Sequence, residues 1–148
     1  MTPIVKTTHV PLSPQEAFDL FMADLDYWWP KDRHAASKGS RLDVEARKNG
    51  DIVEVMPDGS RKIWGRIIGW EPGRYMAFTW HPDGPEDEAT IVAVSFKPTP
   101  DGTQVDLTHG RFEVLGETAD AVSTSYLLGW DLVLGSYCYA ASKLRVMA

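Results

Sequence analysis

His109 is the residue whose spacing best suits it to chemistry. It follows Val105 and Leu107 at intervals of two, so an extended strand turns all three toward one face, expected to be the inward one. An inward imidazole can hydrogen-bond a ligand or carry a proton near neutral pH. It can equally be a core histidine bonded to a backbone carbonyl or a tyrosine. Tyr126 and Tyr137 are the phenols that could share a proton-transfer role with it. His9, His34 and His81 have no partner at metal-ligand spacing and no H-x-x-x-H pair occurs, so no metal site is expected. The single cysteine, Cys138, excludes an internal disulfide and a cysteine-based zinc site, and beside Tyr137 and Tyr139 it reads as a buried thiol. There is no G-x-S-x-G elbow, phosphate-binding loop or dinucleotide glycine fingerprint. No catalytic residue and no cofactor is assigned.

The remaining candidates are aromatic. Residues 64–80 hold Trp64, Trp70 and Trp80 in two strand-like runs around Glu71-Pro72-Gly73-Arg74. Pro at the second turn position presets φ, and Gly at the third accepts the positive φ of a type II turn. Strict alternation sets Met76, Phe78 and Trp80 on one inward face, and groups Trp64, Arg66, Ile68 and Trp70 on a face of the preceding strand. Trp28 and Trp29 follow a helical run and could stack on a flat ligand or simply pin that junction to a sheet. Trp28, Trp29, Trp64, Trp80, Phe112, Trp130 and Tyr137 are the candidate ligand-contacting walls, with His109 as polar anchor.

These residues need elements to position them. Ile4–Val10 is a short β-branched run and reads as a first strand. Ser13-Pro14-Gln15-Glu16 combines an N-cap serine, proline at the first helical position and glutamate at the third, starting one or two short helices that end near Asp26. Strand patterns follow over 41–47, 52–56, 63–70, 74–81, 90–97 and 103–112, with Asn49-Gly50 as a tight-hairpin signal. From about Ala119 to Arg145, Leu127, Trp130, Leu134, Tyr137, Ala141 and Leu144 recur three or four apart, as in a helix facing a core. Gly129 and Gly135 inside it suggest a close approach by strand side chains or a bound molecule. The order predicts an α+β helix-grip: a curved antiparallel sheet of six to seven strands around a long C-terminal helix, with two short helices after the first strand. A gap between helix and sheet is the natural pocket of that arrangement.

Composition bounds the partners. The 148 residues carry a net charge of −6, without the concentrated basic face a nucleic-acid partner requires. No apolar run reaches the ~18–20 residues that span a bilayer, so no membrane partner is expected. No charged-then-apolar leader opens the chain, and one cytoplasmic domain over residues 1–148 is expected. The acidic run Asp83–Glu88 reads as a solvated loop.

Asp26-Tyr-Trp-Trp-Pro30, Gly69-Trp-Glu-Pro-Gly-Arg74 followed by Phe78-Thr-Trp80, Gly102-Thr-Gln-Val-Asp-Leu-Thr-His109 and Gly129-Trp130 occur in a familiar order. On these motifs, from Ile4 to Leu144, the chain resembles the START-like (SRPBCC, helix-grip) superfamily. Within it, the chain is similar to bacterial homologues of the C-terminal domain of the heat-shock-protein-90 ATPase activator. The resemblance implies a cavity for a small apolar or aromatic molecule, or contact with a chaperone. Some members of the superfamily are cyclases, a role in which His109 would act with a tyrosine. Rieske-type hydroxylase members use paired Cys and His ligands, which this chain lacks. A homodimer through an exposed edge strand near Arg41 or Ile52 is a further expectation.

Overall fold

The computed structural model describes residues 2–33 and 38–147. His34 lies outside the described residues. Seven strands form one antiparallel sheet: β1 (Ile4–Val10), β2 (Arg41–Val44), β3 (Asp51–Val55), β4 (Arg61–Glu71), β5 (Tyr75–Trp80), β6 (Thr90–Thr99) and β7 (Gly102–Gly110). The sheet order is β1-β7-β6-β5-β4-β3-β2, a meander from β2 to β7 closed at one edge by β1. Two short helices, α1 (Pro14–Phe21) and α2 (Leu25–Trp28), follow β1, and the 29-residue α3 (Ala119–Met147) ends the chain. This is the helix-grip arrangement.

Local chemistry explains the boundaries. The Ser13 hydroxyl accepts from the Glu16 amide while the Glu16 carboxylate accepts from the Ser13 amide, a complete capping box with Pro14 inside it. Gly73 adopts φ of 76°, and the Arg74 amide donates to the Glu71 carbonyl at 2.9 Å, closing the turn between β4 and β5. Asn49-Gly50 does not make a two-residue hairpin. β2 stops at Val44, and Asn49, at φ of 68°, donates its amide to Ile67 of β4 at 2.8 Å, so the segment is a wider loop tied to the sheet. β7 ends at Gly110, because Arg111 turns into the left-handed region (φ 67°) and leads Phe112 into a 3-10 turn over Phe112–Thr118.

β4 breaks the strict alternation. Its register with β3 skips Trp64, and its register with β5 skips Ile68. Each bulge shifts the following side chains by one place. Arg66 and Ile68 therefore face solvent, Ile67 is buried, and Trp64 and Trp70 both turn inward. The expected common face of Trp64, Arg66, Ile68 and Trp70 does not exist.

Between sheet and helices lies a continuous apolar core. Trp130, Val133, Leu134, Tyr137, Ala140 and Ala141 of α3 face it, and α1 adds Phe18 and Phe21, stacked edge-on to Trp70 and Phe96. Ile52 sits in β3, inside the sheet rather than at an edge. At the true edge, the Leu42 amide of β2 is taken by the Asp26 carboxylate at 2.8 Å. No helix among the described residues is long and apolar enough to cross a membrane.

Candidate functional site

Four indoles from four elements meet beside the N-terminal half of α3. Trp29 follows α2, Trp64 and Trp80 project from β4 and β5, and Trp130 comes from α3. Ring centroids lie 5.8 Å apart for Trp29–Trp64, 5.6 Å for Trp29–Trp80, 5.5 Å for Trp64–Trp80 and 6.4 Å for Trp80–Trp130. Trp29 and Trp64 stack edge-on, as do Trp64 and Trp80, the favoured contact between quadrupoles.

The cluster forms the inner wall of a cleft of about 430 Å³. Leu115, Val122 and Val133 add apolar wall, while Arg33, Asp83, Glu88 and Ser125 give it a polar rim. Gly129 contributes space: a Cβ there would meet only the Arg33 guanidinium, at 3.8 Å. Gly135, by contrast, faces open surroundings with nothing within 4 Å. No strand side chain approaches either glycine, and Gly129 is a place where the cleft stays open.

Behind the wall, side chains fix the indoles. Glu54 is fully buried and accepts from Trp64 Nε1 at 3.1 Å and from the Ser40 hydroxyl at 2.6 Å. Trp130 Nε1 donates to His109 Nδ1 at 2.9 Å. A ring nitrogen that accepts carries no hydrogen, so the imidazole proton sits on Nε2, 2.7 Å from the Thr90 hydroxyl. That hydroxyl donates in turn to the Trp80 carbonyl at 3.1 Å. Both nitrogens of His109 are thus engaged and its ring has no exposed surface. Burial lowers its pKa to about 3.

Tyr126 stacks edge-on against His109, with centroids 4.6 Å apart, and lines the cleft. Burial raises its phenol pKa, the Asp83 charge adds to the rise, and the neighbouring Trp80 N–H partly offsets it. The indole nitrogen of Trp29 is buried with no hydrogen-bond partner among the described residues.

The other named aromatics stand elsewhere. Trp28 donates its indole N–H to the Leu20 carbonyl and packs on Phe21 and Tyr137, so it pins α2 to the core. Tyr137 donates its hydroxyl to the Ala17 carbonyl at 2.7 Å, tying α3 to α1, and burial raises its pKa. Phe112 packs on His109 and backs the wall without lining the cleft. His109 and Tyr137 do not converge on one space. Of the eight residues named from sequence, Trp29, Trp64, Trp80 and Trp130 are brought together at the cleft.

Sequence reasoning missed Glu54, Thr90 and the loop residues that complete the rim. His81, and Asp83 of the run read as a solvated loop, border the opening. The signal for Glu54 was a lone carboxylate inside Ile52-Val-Glu-Val, where the same-parity neighbour is apolar. Among the described residues no group of three or more His, Cys, Asp or Glu could hold a metal ion.

The matched family model is that of the activator of Hsp90 ATPase homolog 1-like proteins, over residues 12–135. No curated protein matches the chain. Among solved structures, the anthrahydroquino-gamma-pyrone synthase Txn09, in a complex, is 29% identical over 82% of this chain and 84% of its own, with a TM-score of 0.58. The Aha1 dimer from Colwellia psychrerythraea is 17% identical, covering 95% and 96% of the two chains at a TM-score of 0.70. Protein MLL2253 from Mesorhizobium loti is 14% identical, covering 96% and 98% at 0.69. With the helix-grip fold in place and the family model matched over most of its length, the chain belongs to the activator of Hsp90 ATPase homolog 1-like family.

Proposed function

We propose that the protein binds a small apolar or aromatic molecule, without transforming it, in the cleft between the first half of α3 and the sheet. The supporting observation is the wall of four indoles around open space. The cleft volume falls in the range of small-molecule sites, and apolar walls with few polar groups are their usual lining. The 29% identical Txn09, a synthase named for an oxygenated polycyclic product, supports the same ligand class. Titration of the tryptophan fluorescence with oxygenated polycyclic aromatics tests the proposal: saturable quenching supports it, and an unchanged spectrum across the panel rejects it.

The family match favours a second reading, a module that contacts a chaperone of the Hsp90 type. It predicts a change in that chaperone's ATPase rate on addition of the protein, and no change rejects it. The cyclase-like reading loses its proton carrier, since both ring nitrogens of His109 are engaged and its pKa is pushed far below neutrality.

A further inference from the structure

The outward side of α3 is apolar where the core has no use for it. With Trp130, Val133, Leu134, Tyr137, Ala140 and Ala141 facing inward, Leu128, Leu132, Gly135, Tyr139, Ser142 and Val146 fall within roughly 40° of the opposite line. Their intervals alternate between four and three, the seam of a coiled coil. Leu128 is 69% exposed, Leu132 49%, Tyr139 66% and Val146 86%. A line of exposed apolar side chains on one helix face is a candidate contact surface.

We propose that a second copy of this chain covers it, with the two α3 helices antiparallel about a two-fold axis level with residue 137. In that register Gly135 of each copy shares a layer with Tyr139 of the other. The phenol ring enters the notch where no atom lies within 4 Å of a would-be Cβ. Leu132 shares a layer with Ser142, and Leu128 with Val146. Every layer then holds one larger and one smaller residue, repeated by the symmetry.

Charge selects the same arrangement. Antiparallel pairing brings like flanks together, so Asp131 of one copy lies beside Arg145 of the other, twice. The Asp131 side chain is 64% exposed even while it holds Lys6 at 2.8 Å, and Arg145 is exposed near the helix end. A parallel pair would set Tyr139 on Tyr139, leave Gly135 facing Gly135, and bring Asp131 beside Ser136 with no opposite charge. Antiparallel packing is the one that uses the notch and the charges.

Sedimentation velocity over a concentration series reaching the millimolar range tests this. The wild-type chain is expected to pass from monomer to a species of twice the mass. Gly135→Arg fills the notch on an exposed helix face, so the fold and melting temperature hold while dimer affinity falls by about tenfold or more. Asp131→Arg weakens the dimer, and adding Arg145→Asp restores it. Loss of the Lys6 bridge is common to the single and double variants, so recovery isolates the contact between copies. A wild-type chain that stays monomeric throughout overturns the proposal. So does a dimer indifferent to Gly135→Arg, or a double variant no better than Asp131→Arg alone.

Discussion

At the scale of residues, His109 shows how a group suited to chemistry becomes a structural one. Its chain of bonds, from the Trp130 N–H through the ring and the Thr90 hydroxyl to the Trp80 carbonyl, needs the neutral imidazole. The folded-state pKa of about 3 lies below the ordinary value of 6.5. Above pH 6.5 both folded and unfolded states are neutral, and the contribution to stability is complete. As pH falls further, the unfolded chain takes a proton that the folded chain refuses, and stability declines by about 1.4 kcal/mol per pH unit until roughly pH 3. Denaturant titrations between pH 7 and 4 should show that slope, and His109→Gln should flatten it. Glu54 makes a second test. Glu54→Leu removes the buried acceptor shared by the Trp64 N–H and the Ser40 hydroxyl, so a loss of about 1–3 kcal/mol is expected in the same assay. A core role was one of the two readings open for His109, but its partners Thr90 and Trp130 were not legible, nor were those of Glu54. The inward direction of His109 follows from alternation, but partners brought from β6 and α3 leave no mark on a single strand's pattern.

At the scale of elements, the period of each segment was legible where packing demands it. α3 and the seven strands follow from apolar spacing, and the capping box at Ser13 fixes the start of α1. The bulges of β4 were not, because alternation assumes that every residue has a partner across the strand. Gly65 shows what the bulge depends on. A Cβ at that position would stand 1.8 Å from the Thr79 carbonyl oxygen of β5, an overlap that only movement of the backbone relieves. Gly65→Ala should therefore cost about 3 kcal/mol or more, read as a lowered midpoint in thermal or denaturant unfolding. Gly59→Ala serves as the control: it lies at φ of 90° with nothing within 4 Å, so only backbone strain of about 1–2 kcal/mol applies.

At the scale of the whole molecule, the helix-grip fold leaves an opening at one end of α3 and packs aromatic side chains beside it. Trp28, Phe21 and Tyr137 pack the middle solid, while Trp29, Trp64, Trp80 and Trp130 border the space that remains. The family could be read from short motifs, yet the cleft could not. It is shaped by loops such as 81–89 and 111–118, which carry no periodicity, and by Gly129, whose contribution is the absence of a side chain. That absence gives the most direct test of the binding role. Gly129→Leu should fill the cleft without disturbing a helix that favours leucine over glycine. Fluorescence titration of both forms with one oxygenated polycyclic aromatic, such as an anthraquinone, should give saturable quenching in the wild type. In Gly129→Leu the affinity should be weaker by about tenfold or more. Equal affinity in the two proteins, or no saturable binding to either, would contradict the account.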